Sequence, residues 1–190
     1  SSDLAEPSVL EFGVSGLLLN SNVVMYERET MGLWSQVGMR AISGPNAQRA
    51  LPHLPFQVLA MQELRQAYPQ AFVLSDQTGH SRDYSRNPYE KYFDSDRLFG
   101  EFEFGNALPA KTLGVGLLAG EEAVFITEAA VDGELTYETG LGAVTIGVNE
   151  RGFILGNLPP GVTALQTFYH SWSAFYPETK ILPEPTESAD

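Results

Sequence analysis

Near its amino terminus the chain reads Phe12-Gly-Val-Ser-Gly-Leu-Leu-Leu-Asn-Ser-Asn-Val-Val-Met-Tyr26, and this stretch decides the fold. Gly13 and Gly16 interrupt it, so we expect one strand at Val9–Val14 and a second, buried one at Leu17–Leu19. A turn at Asn20-Ser-Asn22 and a polar connection at residues 27–32 separate two further apolar runs, Val23–Tyr26 and Leu33–Val37. Because short connections join neighbouring strands, the stretch predicts an antiparallel meander.

The rest of the chain alternates between strand and helix patterns. Two segments carry apolar residues at the spacing of amphipathic helices: Phe56–Tyr68, which Pro69 ends, and Val162–Tyr176, where Thr163 and Gln166 have the spacing of a capping box. The remaining apolar runs are typical of strands, and they are Arg40–Ile42, Ala71–Leu74, Leu98–Phe104, Thr112–Leu118, Ala123–Thr127, Leu135–Glu138, Ala143–Val148 and Gly152–Leu155. The predicted fold class is α+β, made mostly of antiparallel β meanders.

An internal repeat relates the two ends of the chain. Leu51-Pro52 precedes a predicted helix that ends at Tyr68-Pro69, and Leu158-Pro159 precedes one that ends at Tyr176-Pro177. We therefore predict one domain over residues 10–182, with related halves at about 10–75 and 112–182, each with one covering helix, and a long joining loop at 76–111. Residues 1–9 and 183–190 are expected to be flexible.

Composition narrows the classes of function. The 24 acidic and 11 basic residues give the 190-residue chain a net charge of −13, which argues against binding to nucleic acid and to anionic lipid. The absence of cysteine excludes disulfides, thiolate metal ligands and cysteine nucleophiles. No apolar run reaches the roughly 18 residues that cross a bilayer. The chain begins Ser1-Ser-Asp3, so we expect that a targeting segment was removed or that the chain is part of a longer product.

A set of motifs along the first half identifies a family. The motifs are Phe12-Gly-Val-Ser-Gly16, Asn20-Ser21-x-x-x-Met25-Tyr26-x-Arg28-Glu29-Thr30, Leu33-Trp34-Ser35-Gln36, Gly44-Pro45, Thr78-Gly79-x-x-Arg82-Asp83-Tyr84-x-Arg86-x-Pro88-Tyr89 and Leu108-Pro-Ala-Lys111. In these motifs and their order the chain resembles the domain of unknown function 3179 family, from about Leu10 to Leu118. Members of that family usually carry a strand with a Cys-Pro-x-x-Gly motif upstream of this region, and this chain, which has no cysteine, does not.

The resemblance implies a location and no catalytic residue. It implies an extracytoplasmic protein, periplasmic or secreted, or anchored to a membrane through an amino-terminal segment that this sequence does not include. Any activity that depends on the Cys-Pro motif is not expected here.

The segment Thr78–Tyr92 concentrates polar and aromatic side chains in a long irregular stretch. One interpretation is a binding loop, in which arginines grip a carboxylate or phosphate and tyrosines stack on a ring. The other is a strap over the core, in which the arginines pair with carboxylates such as Asp83 or Glu27, and Tyr84 and Tyr89 are buried. The candidate ligand-binding residues are His80, Arg82, Asp83, Tyr84, Arg86 and Tyr89.

The other groups of polar and aromatic residues do not predict a metal site or a catalytic site. His80, Asp83 and Asp76 share a loop but lack the spacing of known metal sites, so no metal or cofactor is predicted. The sequence around Ser15 resembles a nucleophile elbow only superficially, because no helix follows it, and no catalytic residue is predicted. Trp34 and Trp172 are expected to pack in the core.

These observations predict a non-enzymatic, extracytoplasmic binding or assembly module of unknown ligand, as a subunit of a larger complex. Because the upstream strand is lacking, the sheet edge near Leu10–Val14 is expected to be open and to accept a strand from a partner protein. The alternative is a small-ligand-binding protein or an enzyme that uses the Thr78–Tyr92 loop.

Overall fold

The computed structural model of the protein describes residues 9–52, 54, 59, 61–81, 83–87, 89–149 and 152–184. Of the ends predicted to be flexible, 1–9 and 183–190, residues 1–8 and 185–190 lie outside the described residues. The strands in the described part are β1 (Phe12–Leu19), β2 (Asn22–Glu27), β3 (Leu33–Ser35), β4 (Arg40–Ala41), β5 (Leu113–Ala119), β6 (Glu122–Thr127), β7 (Glu134–Thr139), β8 (Gly142–Asn149), β9 (Gly152–Leu155), β10 (Val162–Phe168) and β11 (Lys180–Leu182). The helices there are α1 (Met61–Ala67), α2 (Glu90–Phe93), α3 (Tyr169–Phe175) and a 3₁₀ turn at Glu128–Ala130.

The strands form three sheets. The first sheet has the order β1-β2-β3-β4, the second β10-β5-β6-β11 and the third β7-β8-β9. Neighbouring strands are antiparallel except for β11, which runs parallel to β6. The predicted class, α+β with mostly antiparallel meanders, is confirmed.

A bulge in β1 replaces the predicted break between two strands. The register of β1 against β2 shifts between Val14 and Leu18, and Gly16 in the bulge has a φ of +76°. The Ser15 hydroxyl donates to the carbonyl oxygen of Val24 at 2.5 Å and accepts from the backbone N–H of Leu17 at 3.0 Å. The serine therefore satisfies backbone groups that the shifted ladder leaves open, and one strand continues to Leu19.

The second and third sheets pack face to face over the main core. Alternate residues of β5, among them Val115 and Leu117, are buried against Val144 and Ile146 of β8. The opposite face of β5 presents Gly116 to α3. A Cβ added there would lie 2.2 Å from Cε3 of Trp172, so glycine allows the indole to lie directly on the strand.

Helix α3 is enclosed between the second sheet and the first. All residues from Tyr169 to Ser173 are buried. On the side away from β5, the Ala174 carbonyl accepts a hydrogen bond from Asn20 Nδ2 at 3.1 Å, and the Tyr176 hydroxyl donates to the Val37 carbonyl at 2.9 Å. The helix thus joins the first sheet to the rest of the fold.

The predicted helix over Val162–Tyr176 is wrong in its first half. Val162–Phe168 is β10, which pairs with β5 at every residue, and only Tyr169–Phe175 is helical. Thr163 and Gln166 consequently lie in a strand and form no capping box. An apolar residue at every third position favours a helix, and the pairing with β5 along the whole segment overrides this local preference.

The region after residue 50 also differs from expectation. Of the predicted helix at Phe56–Tyr68, residues 56–58 and 60 lie outside the described residues, and α1 occupies Met61–Ala67 without a buried residue, so it covers no core. Ala71–Leu74 is not a strand, and its Phe72 and Leu74 are almost fully exposed. Leu98–Phe104 is irregular as well. The relation between the two halves stays a prediction.

Candidate functional site

The predicted loop lies on the surface. His80, Asp83, Tyr84, Arg86 and Tyr89 are all exposed, and Arg82 lies outside the described residues. Tyr84 and Tyr89 are 54% and 55% exposed, so they do not fill the core as the strap interpretation requires. Nor does Arg86 form an ion pair with a carboxylate within the described part of the chain. The strap interpretation is therefore wrong for Tyr84, Arg86 and Tyr89.

Short-range hydrogen bonds order this loop. The Asp83 carboxylate accepts from the Ser85 hydroxyl and, at 3.0 Å, from the Ser85 backbone N–H, and these two bonds lower the pKa of Asp83. The Thr78 and Tyr84 hydroxyls lie 2.8 Å apart, and Asn87 Oδ1 accepts from the backbone N–H of Tyr89 at 2.9 Å. Asp83 and Tyr84 thus serve the shape of the loop, whereas Tyr89 lines a cavity.

That cavity, of about 580 Å³, lies between the turn of the β1–β2 hairpin, α2 and the junction of β10 with α3. Leu18 and Val23 of the hairpin and Leu113 of β5 contribute aliphatic surface. Most of the remaining apolar surface is aromatic and comes from Tyr89, Tyr92, Phe93, Phe99 and Phe168. We call this space the aromatic cavity.

The wall formed by α2 is fixed by a lysine. Lys111 Nζ donates to the carbonyl oxygens of Tyr92 and Ser95 and lies 3.8 Å from the centroid of the Tyr92 ring. Tyr92 also stacks on Phe99 at 4.9 Å with an angle of 12° between the rings. The Lys111 ammonium binds two carbonyl oxygens of this segment while its charge faces the Tyr92 ring. These contacts fix the position of α2, although the helix buries none of its own residues.

His170 forms the inner end of the cavity and is 3% exposed. Its Nδ1 lies 2.8 Å from the carbonyl oxygen of Ala110, and its ring stacks on Phe168 at 5.8 Å and 18°. Burial lowers the pKa of His170, and the charge of Lys111 lowers it as well, against the bond to Ala110, which raises it. The imidazole is therefore neutral at pH 7.

The tautomer of His170 follows from its partner. A carbonyl oxygen can only accept, so Nδ1 must carry the proton and Nε2 is a bare acceptor. The described residues supply no hydrogen-bond donor to Nε2. His170 thus lines the cavity with a buried imidazole whose Nε2 has no hydrogen-bond partner among the described residues, and whose ring also lies 5.9 Å from that of Phe102 and 6.2 Å from that of Phe104.

The hairpin turn closes the cavity through a chain of amides. Asn20 and Ser21 adopt positive φ angles of 48° and 63°, as a tight two-residue hairpin requires. The Ser171 hydroxyl donates to Asn22 Oδ1 at 2.9 Å, and Asn22 Nδ2 donates to the Asn20 carbonyl at 2.7 Å. These bonds hold the turn against α3 and use the side-chain amide of Asn22, which borders the cavity.

A second cavity of about 340 Å³ continues along β10. It shares Asn22, Gln166 and Thr167 with the aromatic cavity, and its far end is apolar, with Val37 and Leu51. The two cavities therefore adjoin at these three residues.

The other predicted constellations have structural explanations. Trp34 and Trp172 are 2% and 0% exposed, which confirms that they pack in the core. The Ser15 hydroxyl is used by the β1 bulge. The described residues contain no group of three or more side chains that would hold a metal ion, and none of their helices is long and apolar enough to span a bilayer.

Glu27 is a fully buried carboxylate with all its partners in the first sheet and the loop that follows. Trp34 Nε1 donates to Oε2 at 2.9 Å, Asn46 Nδ2 donates to Oε1 at 2.7 Å, and the Thr30 hydroxyl also donates to Oε1. The bond from Thr30, more than any other cause, lowers the pKa of Glu27, although burial opposes this. Because its oxygens are satisfied by these donors, Glu27 fixes the β2–β3 connection and does not pair with Arg86.

Sequence reasoning identified one residue of the aromatic cavity, Tyr89, as a ligand-binding candidate and missed His170 and the aromatic residues on β10 and after α2. The signal that pointed toward it was the density of aromatic residues between Tyr84 and Phe104. Their convergence with Phe168 and His170 depends on contacts between segments about seventy residues apart, which no local pattern reveals.

Comparison with known proteins gives one match. The family model described as "Protein of unknown function (DUF3179)" matches residues 4–156. No curated protein and no solved structure matches the chain. The matched residues include the hairpin and the α2 wall of the aromatic cavity, whereas β10 and α3 follow them in the sequence.

Proposed function

The chain belongs to the DUF3179 family, and from this premise we propose that it is a non-enzymatic binding protein that holds a small, largely apolar ligand in the aromatic cavity. The observation that carries the proposal is the cavity itself. Its volume of about 580 Å³ falls in the range of ligand sites, and a few polar groups interrupt a mainly apolar lining, as in most such sites.

The chemistry of the lining supports binding over catalysis. General acid–base catalysis of a bound substrate uses titratable groups placed against the reacting atoms. Among the described residues that line the cavity, His170 is the one group that titrates near neutral pH, and no carboxylate stands beside it. Its Nδ1 is bonded to a backbone carbonyl, so no carboxylate orients the ring either.

A substitution that fills the cavity tests the proposal. Val23 lines it and is 43% exposed, so Val23→Trp places an indole in the cavity without changing the buried core. We expect the native protein to bind the neutral dye Nile red saturably, with increased fluorescence, and Val23→Trp to lose this signal. Val14→Trp is the matched control, because Val14 lies in the same sheet, is 74% exposed and does not line the cavity.

Circular dichroism establishes that both variants are folded. If the native protein gives no saturable signal, or if Val23→Trp binds the dye as well as Val14→Trp does, the proposal is refuted.

A second candidate function, assembly through the edge of β1, rests on a different observation. Strand β1 is the outermost strand of the first sheet among the described residues, and Val14, Leu17 and Leu18 on it are about half exposed or more. Unpaired edges with apolar side chains are the usual acceptors for a strand from another chain. On this proposal the protein is a subunit of a larger complex, whose partner pairs with β1 near the predicted segment Leu10–Val14.

Site-specific crosslinking tests the assembly function. A photoreactive residue at position 14 should form a crosslinked product with a partner protein in the native cell. The same residue at position 138, on the exposed Glu138 of β7, is the control and should not. The absence of a product at position 14 under conditions in which the protein is folded contradicts this function.

The extracytoplasmic location belongs to the same proposal. Its support is what the resemblance of the motifs between Leu10 and Leu118 to the DUF3179 family implies about location. Cell fractionation of the native source, with an antibody against this chain, should place the protein outside the cytoplasm. Recovery in the cytoplasmic fraction contradicts it.

A further inference from the structure

The charge of the aromatic cavity limits what it can bind. None of the fourteen described residues that line it is charged at pH 7, because its one titratable imidazole is neutral. Burying an ion without a partner of opposite charge is strongly unfavourable. The net charge of −13 on the chain adds a repulsion against anions. The cavity therefore favours a neutral ligand.

The arrangement of rings favours a flat ligand. Tyr92 and Phe99 stack at an angle of 12°, and Phe168 and His170 stack at 18°, so two near-parallel pairs of rings border the same space. Phe93 lies beside the second pair, 6.2 Å from Phe168 between ring centroids. A planar molecule can continue such stacks and fill the space with aromatic contacts on its faces.

The free nitrogen of His170 determines which polar group the ligand carries. Nε2 is an acceptor, because Nδ1 carries the proton that is donated to the Ala110 carbonyl. His170 is only 3% exposed, so water does not satisfy this acceptor. A buried acceptor that finds no donor costs free energy comparable to a lost hydrogen bond. A ligand O–H or N–H would satisfy Nε2, whereas a second acceptor would face its lone pair.

We propose that the aromatic cavity selects a neutral, planar aromatic molecule that donates a hydrogen bond to Nε2 of His170. This inference rests on the proposed binding function and specifies its ligand class, to which phenols and indoles belong. The bond from Nδ1 to Ala110 sets the selectivity, because it fixes Nε2 as the acceptor.

A set of three matched probes tests the inference with the full chain at pH 7. Indole is neutral and donates through N–H, 1-methylindole has the same rings without the donor, and indole-3-carboxylate adds a negative charge. By titration in NMR, we expect indole to bind at least about fivefold more tightly than 1-methylindole, from the loss of one hydrogen bond to a buried acceptor. The carboxylate should bind more weakly than either. Equal affinities of indole and 1-methylindole overturn the inference.

A substitution at His170 separates the role of Nε2 from that of Nδ1. In His170→Asn the side-chain amide can replace the Nδ1–H bond to Ala110, while nothing replaces Nε2. The affinities for indole and 1-methylindole should therefore become equal, while the loss of the imidazole from the ring stack weakens both probes alike. His80→Asn is the matched control, because His80 is exposed on the loop and does not line the cavity. An indole preference that survives in His170→Asn overturns the inference.

A measurement on the native protein does not depend on any variant being folded. The ¹⁵N chemical shifts of the imidazole identify the protonated nitrogen. We expect the Nδ1–H tautomer at pH 7, and a change in the Nε2 shift when indole is added. An Nε2–H tautomer overturns the inference.

The dye experiment distinguishes the two levels of proposal. If Nile red binds and Val23→Trp abolishes its binding, but the probes do not differ, the cavity binds ligands and only their class is wrong. If neither the dye nor any probe binds, the binding function itself fails.

Discussion

Helices α1 and α3 follow the same sequence scheme but have opposite environments. Helix α3 begins and ends 108 residues after α1 begins and ends. A Tyr-Pro pair follows each helix, Tyr68-Pro69 after α1 and Tyr176-Pro177 after α3. Yet α3 buries five residues and α1 buries none. The segment after α3 forms β11 against β6, whereas Phe72 and Leu74 after α1 are exposed. The shared sequence pattern therefore determines where each helix lies and where it ends, but it does not determine whether the helix is buried.

The side chains explain the difference. Around the middle of α1 stand long polar residues, Glu63 and Arg65, and Glu63 reaches Asn149 Nδ2 of β8 at 3.2 Å. The two buried serines of α3 are small and satisfied. Ser173 donates to the Tyr169 carbonyl at 2.8 Å and accepts from the backbone N–H of Gly105 at 3.0 Å. Small side chains that find partners within the protein allow a helix to be enclosed on two sides, and His170 Nε2 is the exception described above.

The largest expected difference between the two helices is in the stability lost when one corresponding side chain of each is truncated to alanine. Leu64 of α1 corresponds to Trp172 of α3 in the 108-residue shift. Trp172 is fully buried, so Trp172→Ala should lower the free energy of unfolding by about 3–5 kcal/mol. Leu64→Ala, on a helix without buried residues, should lower it by about 1 kcal/mol or less.

Urea unfolding followed by circular dichroism gives both values. A cost at Leu64 as large as at Trp172 would mean that α1 is packed as α3 is, and the contrast between the helices would be lost.

Corresponding glycines in the hairpins β1–β2 and β5–β6 give the second test of how the two halves differ. Strand β6 has the bounds of β2 moved by 100 residues, and in the same shift Gly16 corresponds to Gly116. Gly16 has nothing within 4 Å of an added Cβ but a φ of +76°, whereas an added Cβ at Gly116 would overlap the Trp172 ring. One glycine serves a bulge and the other serves packing.

We expect Gly116→Ala to lower the free energy of unfolding by about 1–3 kcal/mol, because the indole must move off the strand. Gly140→Ala is the control, since an added Cβ there has no neighbour within 4 Å and the backbone does not require a positive φ. Its effect should be within about 0.5 kcal/mol, measured by the same urea unfolding. A tolerated Gly116→Ala would show that Trp172 does not depend on close approach to β5.

The same contrast explains how far the sequence could predict the fold. The hairpins β1–β2 and β5–β6 are visible because turn residues separate short apolar runs, and these signals are local. The boundary between β10 and α3 is not visible, because Val162, Leu165 and Phe168 have the three-residue spacing of a helix that would continue into α3. The pairing with β5 decides it. Likewise Ala71–Leu74 has strand-forming residues but no neighbouring strand to pair with in the described structure.

The candidate site was predictable only in part, for a related reason. Aromatic residues near Tyr89 indicated a binding region, but the predicted arginine and tyrosine loop is exposed around Tyr84. The cavity forms where this region meets Phe168 and His170, and α3 must first be placed between two sheets for that to happen. A single histidine in a helix gives no local signal that one of its nitrogens will be left free.

The ends of β2 and β6 give a third test, which depends on pH. At corresponding positions stand Glu27, whose carboxylate binds three side chains, and Thr127, whose hydroxyl donates to the Leu182 carbonyl at 3.1 Å. Folding lowers the pKa of Glu27 below its ordinary value of 4.5, so the ionised form is the one that folding stabilises. This contribution is fully present above pH 4.5 and is lost as the pH falls through the lowered pKa.

Glu27→Gln should therefore destabilise the protein at pH 7, and the difference from the native chain should shrink below pH 4.5. Unfolding by urea at several pH values measures this difference. Glu138→Gln, at an exposed position of β7, should show no such dependence. A difference between native and Glu27→Gln that stays constant down to pH 3 would mean that the carboxylate charge does not hold the β2–β3 connection.

The smallest expected effect is at Phe72, which corresponds to Lys180 at the start of β11. Phe72 has its whole side chain in solvent, so Phe72→Ser removes no buried surface and should change the free energy of unfolding by less than about 0.5 kcal/mol. The same substitution should reduce self-association in light scattering, because it interrupts an exposed apolar run of strand-forming residues. A loss of stability comparable to that of Gly116→Ala would instead mean that the segment after α1 is docked as β11 is, and that the two halves resemble each other in packing as well as in sequence.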